Sequence, residues 1–289
     1  MKVINSQLII IALTSVATMA MVPVLVSSVA ANEVTIGMVR VFIACLVLTP
    51  LLLWQKRFSG LQRKDWLAML AIGMVFGLHW WTYFYAIKNS TPSLGALSLT
   101  TYGIHLVWIN SLISRQKPKL SDVIAILLCF CGCIIVVPSA DISHHVTQAF
   151  LVGVFSGFLY ALLPFFHQRV AHLPTMLRSW GQFSFAGLFF LLFWPQMDWR
   201  LSVNDWQLLI ILGVVSTLIA HTLWVKASTE LPSIVVSAFY YLYIPIAMAL
   251  SYFFLDEVMT TSKLLGAALI VVSCLLGIIL PAMRKTPSG

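Results

Sequence analysis

Histidine, tyrosine and tryptophan side chains recur at helical spacing inside long apolar stretches of this chain. His79 and Tyr83 are four residues apart, so they share one face of a helix. A polar face in an apolar helix is costly unless it lines a cavity or meets a partner. We therefore predict nine ligand-contacting residues from this stripe and similar ones: His79, Tyr83, Tyr102, His105, Trp108, His221, Trp224, Tyr240 and Tyr241.

These residues have alternative explanations. Aromatic residues near the end of a span are usually interfacial anchors, and this reading stays open for Trp80, Trp81 and Tyr85. His79 and His221 can equally contact a ligand or satisfy an interhelical hydrogen bond. Four residues lie too deep for the interface, and for them a cavity-lining role is favoured over packing: Tyr102, His105, Tyr240 and Tyr241. Tyr243 falls off the face of its two neighbours.

Arg40 is a cation within an apolar stretch. It lies about seven residues inside the second predicted span, roughly 10 Å from its end at 1.5 Å per residue. A cation at such a depth is a functional candidate by default. Arg40 can contact a substrate anion, or it can pair with Glu33 and hold helices together. We favour the structural role.

The composition predicts that these residues sit on membrane-spanning helices. Of 289 residues, 60% are hydrophobic and 9% are charged, whereas soluble domains carry roughly 25% charged residues. A bilayer core needs about 20 apolar residues per helix. Ten stretches satisfy this requirement, near 6–30, 34–54, 66–87, 92–113, 121–138, 149–170, 174–194, 206–228, 233–254 and 263–281. We predict an all-α integral membrane protein with ten transmembrane helices.

The distribution of basic residues predicts the orientation. The net charge of +8 would suggest nucleic acid as the partner of a soluble protein. Here most of the 17 lysines and arginines fall on one side if the N-terminus is inside, and the positive-inside rule then places both termini in the cytoplasm. We expect a multi-pass protein of the cell inner (plasma) membrane whose partners are lipid and a small molecule, without nucleic acid. It would be a monomer or a homodimer.

An internal repeat divides the chain. Asp65-Trp66, Gly73 and Pro92-Ser93 recur, each shifted by 140, as Asp205-Trp206, Gly213 and Pro232-Ser233. Five predicted spans separate the copies, and because five is odd the second copy enters the membrane from the opposite face. That arrangement is an inverted repeat, from which many carriers are built. We predict one five-helix repeat over 1–140 and a second, inverted one over 141–289, around a central cavity.

Several motifs resemble one family. The run from Leu255-Asp256-Glu257 to Gly266-Ala267-Ala268-Leu269-Ile270 is similar to the closing signature of the drug/metabolite transporter superfamily, EamA-like branch. The segments 37–44, 85–93 and 243–246 also resemble segments of that family. The resemblance covers the whole chain. It implies a secondary transporter of small metabolites that works by alternating access, with export usual.

The resemblance also narrows the mechanism. The small multidrug pumps of this superfamily depend on a membrane-embedded glutamate, whereas no Asp or Glu lies deep in any span here. If transport is coupled to protons, a histidine among His79, His105 and His221 must carry them. Uncoupled transport is equally compatible with the sequence. An aromatic, weakly polar cavity suits amino acids, aromatic or heterocyclic metabolites, or a quaternary cation held by cation–π contact. Amino acids or related amphipathic, zwitterionic or aromatic solutes are favoured.

Two other classes of function remain as alternatives. An intramembrane enzyme needs converging nucleophile and base or metal ligands, and the sequence has no such motif. The closely spaced Cys129, Cys131 and Cys133 point apart on a helix, so we expect no metal and no cofactor. A non-transporting membrane sensor has no positive support in the sequence.

Overall fold

The long apolar runs fold as helices, because a helix satisfies its own backbone hydrogen bonds in lipid. The computed structural model describes residues 6–114, 120–136, 144–231 and 239–283. The α-helices are α1 (Ser6–Met19), α2 (Val22–Ser28), α3 (Glu33–Trp54), α4 (Arg63–Lys88), α5 (Pro92–Thr100), α6 (Tyr102–Ser114), α7 (Leu120–Val136), α8 (His145–Arg169), α9 (Thr175–Leu191), α10 (Val203–Gly213), α11 (Ala220–Glu230), α12 (Tyr243–Leu255) and α13 (Thr261–Met283). No strand occurs in these four ranges.

The prediction of an all-helical membrane protein is confirmed. Six continuous helical stretches are long and apolar enough to cross a bilayer, namely Ser6–Ser28, Glu33–Trp54, Arg63–Lys88, Pro92–Ile113, His145–Arg169 and Val203–Glu230. Shorter helices cover the predicted spans near 121–138, 174–194 and 263–281, and part of 233–254. Ten spans as a total stay a prediction. Pro232-Ser233 lies outside the part of the chain that the structure describes.

Two equivalent capping boxes start α4 and α10. In α4 the backbone N–H of Gln62 donates to Asp65 Oδ2 at 2.9 Å. In α10 the backbone N–H of Ser202 donates to Asp205 Oδ2 at 3.0 Å, and the N–H of Asp205 donates to Ser202 Oγ at 3.1 Å. Such reciprocal bonds satisfy N–H groups that the first helical turn leaves free. The repeated Asp-Trp pair therefore marks two helix starts.

These two helix starts lie at opposite ends of the bundle. Lys88, at the end of α4, donates to the carbonyl of Val29, and the neighbouring N–H of Ala30 donates to Asp205 at 2.8 Å. The end of α4 thus lies beside the start of α10. We name this region the Asp205 end.

The other ends of the same helices meet in the same way. Asp65, at the start of α4, pairs with His172 at 3.1 Å. Next to His172, the carbonyl of Leu173 accepts from Arg178, which also donates to Thr229 near the end of α11. We name this region the Asp65 end. The stretch from α10 to α11 therefore runs antiparallel to α4.

Glycines in two Gly-x-x-x-Gly pairs, Gly73 with Gly77 and Gly153 with Gly157, allow the helices around α4 to approach closely. A Cβ atom on Gly73 or Gly77 would collide with Phe185 or Phe189 of α9. A Cβ on Gly153 or Gly157 of α8 would collide with side chains or backbone of the stretch 98–102. Small residues of this kind let helix backbones pack without a hydrophobic driving force in lipid. They hold α4, α5, α8 and α9 close together.

A π-helical segment, Val214–Ile219, interrupts the stretch between α10 and α11. Its wider turn lets Thr217 Oγ1 donate to the carbonyl of Leu212 at 2.8 Å. π-bulges inside α-helices occur frequently at functional sites. This one brings a fully buried threonine hydroxyl and the carbonyl of Ser216 to the middle of the bundle.

Candidate functional site

A small buried cavity lies in the middle of the bundle. It contains about 20 Å³ of space that a water molecule can occupy, which is room for one water or little more. Its walls come from both halves of the chain and are formed by Met19, Val22, Arg40, His79, Trp80, Tyr83, Phe84, Leu99, Tyr160, His221, Tyr240 and Tyr243. All of these residues are buried, and we name the site the central cavity.

Arg40 contributes a charged group to the described wall of the central cavity, and it is fully buried. Its Nε donates to Thr217 Oγ1 at 2.9 Å, and its Nη2 donates to the carbonyl of Ser216 at 3.4 Å. The guanidinium carbon lies 4.0 Å from the ring centroid of Trp80 and 5.0 Å from that of Phe84. The π-helical segment on one side and two aromatic faces on the other therefore fix its position.

Arg40 does not pair with Glu33 in the structure, although the sequence allowed that pairing. The carboxylate of Glu33 instead accepts from Asn89 at 3.5 Å, near the Asp205 end. Two helical turns, roughly 10 Å along the axis, separate the two residues on α3. The partners that hold Arg40 come from the second half of the chain, where Thr217 and Ser216 lie.

Tyrosines form much of the remaining wall. The hydroxyl groups of Tyr83 and Tyr243 are hydrogen-bonded to each other. The ring of Tyr240 stacks on that of Tyr243, with centroids 5.6 Å apart, and also lies 5.6 Å from that of Tyr160. Aromatic rings at such distances attract one another through their quadrupoles. The cavity wall is therefore a continuous aromatic surface with hydroxyl groups on it.

The two predicted histidines of the central cavity differ in their surroundings. His79 Nδ1 lies 2.7 Å from Ser156 Oγ, so an interhelical hydrogen bond holds this ring. Its imidazole stacks against Tyr160 at 4.7 Å. His221 packs between aromatic rings, 5.2 Å from Phe76 and 5.3 Å from Trp80. His79 is thus hydrogen-bonded between helices and also lines the cavity, and its contact with a ligand stays a prediction.

The predicted site residues fall into three groups in the structure. Four of the nine line the central cavity: His79, Tyr83, His221 and Tyr240. Two pack behind them, Tyr102 at 4.9 Å and Trp224 at 5.3 Å from the ring of Tyr240. The other three, His105, Trp108 and Tyr241, are not part of its wall.

Those three residues have other environments. The Nε2 atom of His105 lies 3.4 Å from Thr101 Oγ1, and its ring packs edge-on against Phe158. Trp108 is 50% exposed on the surface that would face lipid. Tyr241 is buried in a separate apolar cluster with Ile244. These three residues have the helical spacing of a shared face, but that face does not point toward the central cavity.

The sequence missed several wall residues. Trp80, left open as an interfacial anchor, is only 1% exposed and lies against Arg40. Tyr243, placed off the face of its neighbours, meets Tyr83. Tyr160 of α8 belongs to none of the polar stripes that the sequence shows. A tyrosine near the middle of an apolar span was the available signal for Tyr160, but the rotation of α8 about its own axis decides which way it faces.

A second small cavity adjoins the first in the direction of the Asp65 end. His221 and Tyr160 line both cavities, and the second one is also lined by His167 and Gln182. His167 Nε2 lies 2.7 Å from Gln182 Oε1. Polar groups therefore continue beyond the central cavity on this side.

Comparisons with known proteins show a family match for the sequence and a similar fold among solved structures. The sequence profile of the EamA-like transporter family matches the chain twice, over residues 6–137 and 147–279. No curated protein matches the chain. A solved structure titled only "Crystal structure of protein" is similar over 98% of this chain and 100% of its own, with a TM-score of 0.71 and 15% sequence identity. At that identity, the likeness shows a shared fold.

Proposed function

Because the chain belongs to the EamA-like transporter family, whose members are membrane transporters of small molecules, we propose that it is a secondary transporter that moves a small metabolite by alternating access. One observation carries the proposal. A small buried cavity with aromatic walls and a buried cation is lined by residues of both repeats. A transporter that alternates between two open states passes through a closed state with its site covered on both sides.

The ends of the bundle support an inverted repeat as the basis of this alternation. α4 and the stretch from α10 to α11 run antiparallel, and each begins with an aspartate that also bonds a loop of the other repeat. Shifting Asn32 of one loop by 140 gives His172 of the other. Two similar halves of opposite orientation can exchange conformations at little cost in free energy.

The cargo that this cavity fits is an amino acid or a related amphipathic, zwitterionic or aromatic solute. The stacked rings of Tyr160, Tyr240 and Tyr243 offer an apolar surface, and the Tyr83 hydroxyl and the His79 ring add hydrogen-bonding groups. The cavity must widen to admit such a molecule, since its present volume accepts about one water. We propose export from the cytoplasm across the plasma membrane, with both termini inside.

Transport in liposomes tests this proposal. Purified protein is reconstituted into vesicles that are preloaded with an unlabelled amino acid. Uptake of the same amino acid in labelled form is then measured. We expect counterflow with at least one aromatic or branched-chain amino acid. Tyr240→Ala removes the ring at the centre of the aromatic wall and should abolish this counterflow, whereas Trp108→Ala, on the outer surface, should retain it. A folded wild-type protein that moves no member of the panel would contradict the transporter proposal.

A further inference from the structure

The central cavity contains a buried positive charge for which the described part of the chain supplies no negative partner. Arg40 bonds only neutral oxygens, those of Thr217 and Ser216. Its third nitrogen, Nη1, is buried and has no acceptor among the described residues. The two ion pairs found in those residues join His172 to Asp65 and Lys263 to Glu257, near the ends of the bundle.

An unpaired cation in such a place is expensive. Desolvation of an ion costs several kcal/mol in real proteins, and a missing acceptor adds to that cost. Cation–π attraction to the faces of Trp80 and Phe84 offsets part of this desolvation cost. The acidic residues that the structure describes lie at helix ends or in connections, so none of these is at the depth of Arg40. A bound molecule is therefore the source of negative charge that we consider for this site.

The contacts of Arg40 leave one edge of the guanidinium for that charge. Nε and Nη2 are anchored on the π-helical segment, and Trp80 covers one face of the group at 4.0 Å. Nη1 is the nitrogen without a partner in a side chain that forms part of the cavity wall. Arginine presents several N–H groups in a plane, which suits the two oxygens of a carboxylate.

We propose that Arg40 binds the carboxylate of the transported solute, so that the substrate class is small carboxylates with an apolar or aromatic remainder. This inference rests on the proposed function and deepens it. The carboxylate supplies the negative charge that the cavity lacks, and the apolar remainder lies against the tyrosine wall around Tyr240. A solute with an ammonium group but no carboxylate would add a second positive charge beside Arg40 and be rejected.

Four probes that share a phenyl group distinguish recognition of a carboxylate from recognition of an ammonium group. These are L-phenylalanine, 3-phenylpropionate, L-phenylalaninamide and phenethylamine, of which only the first two carry a carboxylate. Ligand-induced stabilisation of the full-length protein in detergent is measured as the rise of its thermal unfolding midpoint, with sulfate in place of chloride. We expect the two carboxylates to bind at least about tenfold more tightly than the other two, as charge-assisted hydrogen bonds imply.

Variants test whether Arg40 causes the preference for carboxylates. Arg40→Gln removes the charge and should bring the acid and the amide to equal affinity, whereas Arg200→Gln, which removes an exposed charge, should leave the preference unchanged. If Arg40→Gln does not fold, Arg40→Lys keeps the charge but not the planar group, and it should weaken carboxylate binding while keeping its preference over the amide. A carboxylate preference that persists in Arg40→Gln overturns the proposal.

The wild-type protein alone can also contradict the proposal. Equal stabilisation by L-phenylalanine and L-phenylalaninamide would overturn it, and so would stabilisation by chloride that matches that of 3-phenylpropionate, because the site would then hold an inorganic ion. The proposed function fails separately. Carboxylate binding without counterflow would refute transport but keep the anion site, whereas counterflow of amines by the wild-type protein as fast as that of carboxylates would keep transport and refute the anion site.

Discussion

The Asp65 end and the Asp205 end of the bundle start helices with the same device but hold the two repeats together differently. At the Asp205 end the carboxylate accepts a backbone N–H, from Ala30 at 2.8 Å. At the Asp65 end the carboxylate meets a side chain, His172, which is 55% exposed. A backbone N–H is always a donor, whereas an imidazole is charged only when it is protonated.

The Asp205 end also carries additional links. Lys88 donates to the carbonyl of Val29. Glu257 accepts from the N–H and the hydroxyl of Ser93 and pairs with Lys263 at 2.7 Å. The bonds of Lys88 to Val29 and of Ser93 to Glu257 connect parts of the chain that lie far apart in sequence. We therefore expect the Asp205 end to be the more firmly closed one, and the Asp65 end to open first.

The largest effect on this comparison should come from Glu257→Ala. It removes the bonds to Ser93 and leaves Lys263, whose side chain is 14% exposed, without its ion pair. We expect a loss of about 2 kcal/mol in the free energy of unfolding, between the values for buried and exposed pairs. Chemical denaturation in detergent measures it. Glu230→Ala, which removes an exposed acid at the other end, is the control, and equal losses from both would refute the assignment.

The next effect compares the two aspartates directly. Asp205→Ala should cost about 1.5 kcal/mol, because it removes one member of the capping box and the acceptor for Ala30. Asp65→Ala should cost about 1 kcal/mol, since its partner His172 is largely exposed. Amide hydrogen exchange, read separately over 62–66 and 202–206, locates each loss. The comparison breaks down if either variant loosens both ends to the same extent.

The smallest effect should come from His172→Ala. A largely exposed contact of this kind contributes about 0.5 kcal/mol to the free energy of unfolding. Chemical denaturation in detergent measures it. A loss as large as that of Asp205→Ala would contradict the comparison.

The sequence predicted much of the fold, for physical reasons. Apolar runs of about 20 residues have few alternatives to a helix in lipid, so the helices occur where they were expected. The repeated aspartates of α4 and α10 predicted equivalent helix starts, because capping is a local interaction within four residues.

The candidate site was only partly predictable. His79, Tyr83, His221 and Tyr240 line the central cavity, but His105, Trp108 and Tyr241 follow the same helical spacing and do not. Spacing identifies which residues share a face and carries no information about the direction of that face. Packing against neighbouring helices sets that direction.

The sequence by itself determined that this chain is a helical membrane protein made of two related parts. It also showed that one arginine lies deep in a predicted span. Only the tertiary structure decided what that arginine meets. Thr217 lies 177 positions away along the chain, and Trp80 is 40 positions away. A local pattern fixes backbone hydrogen bonds within a few residues, whereas contacts between distant helices depend on how every helix rotates to fill the shared interior.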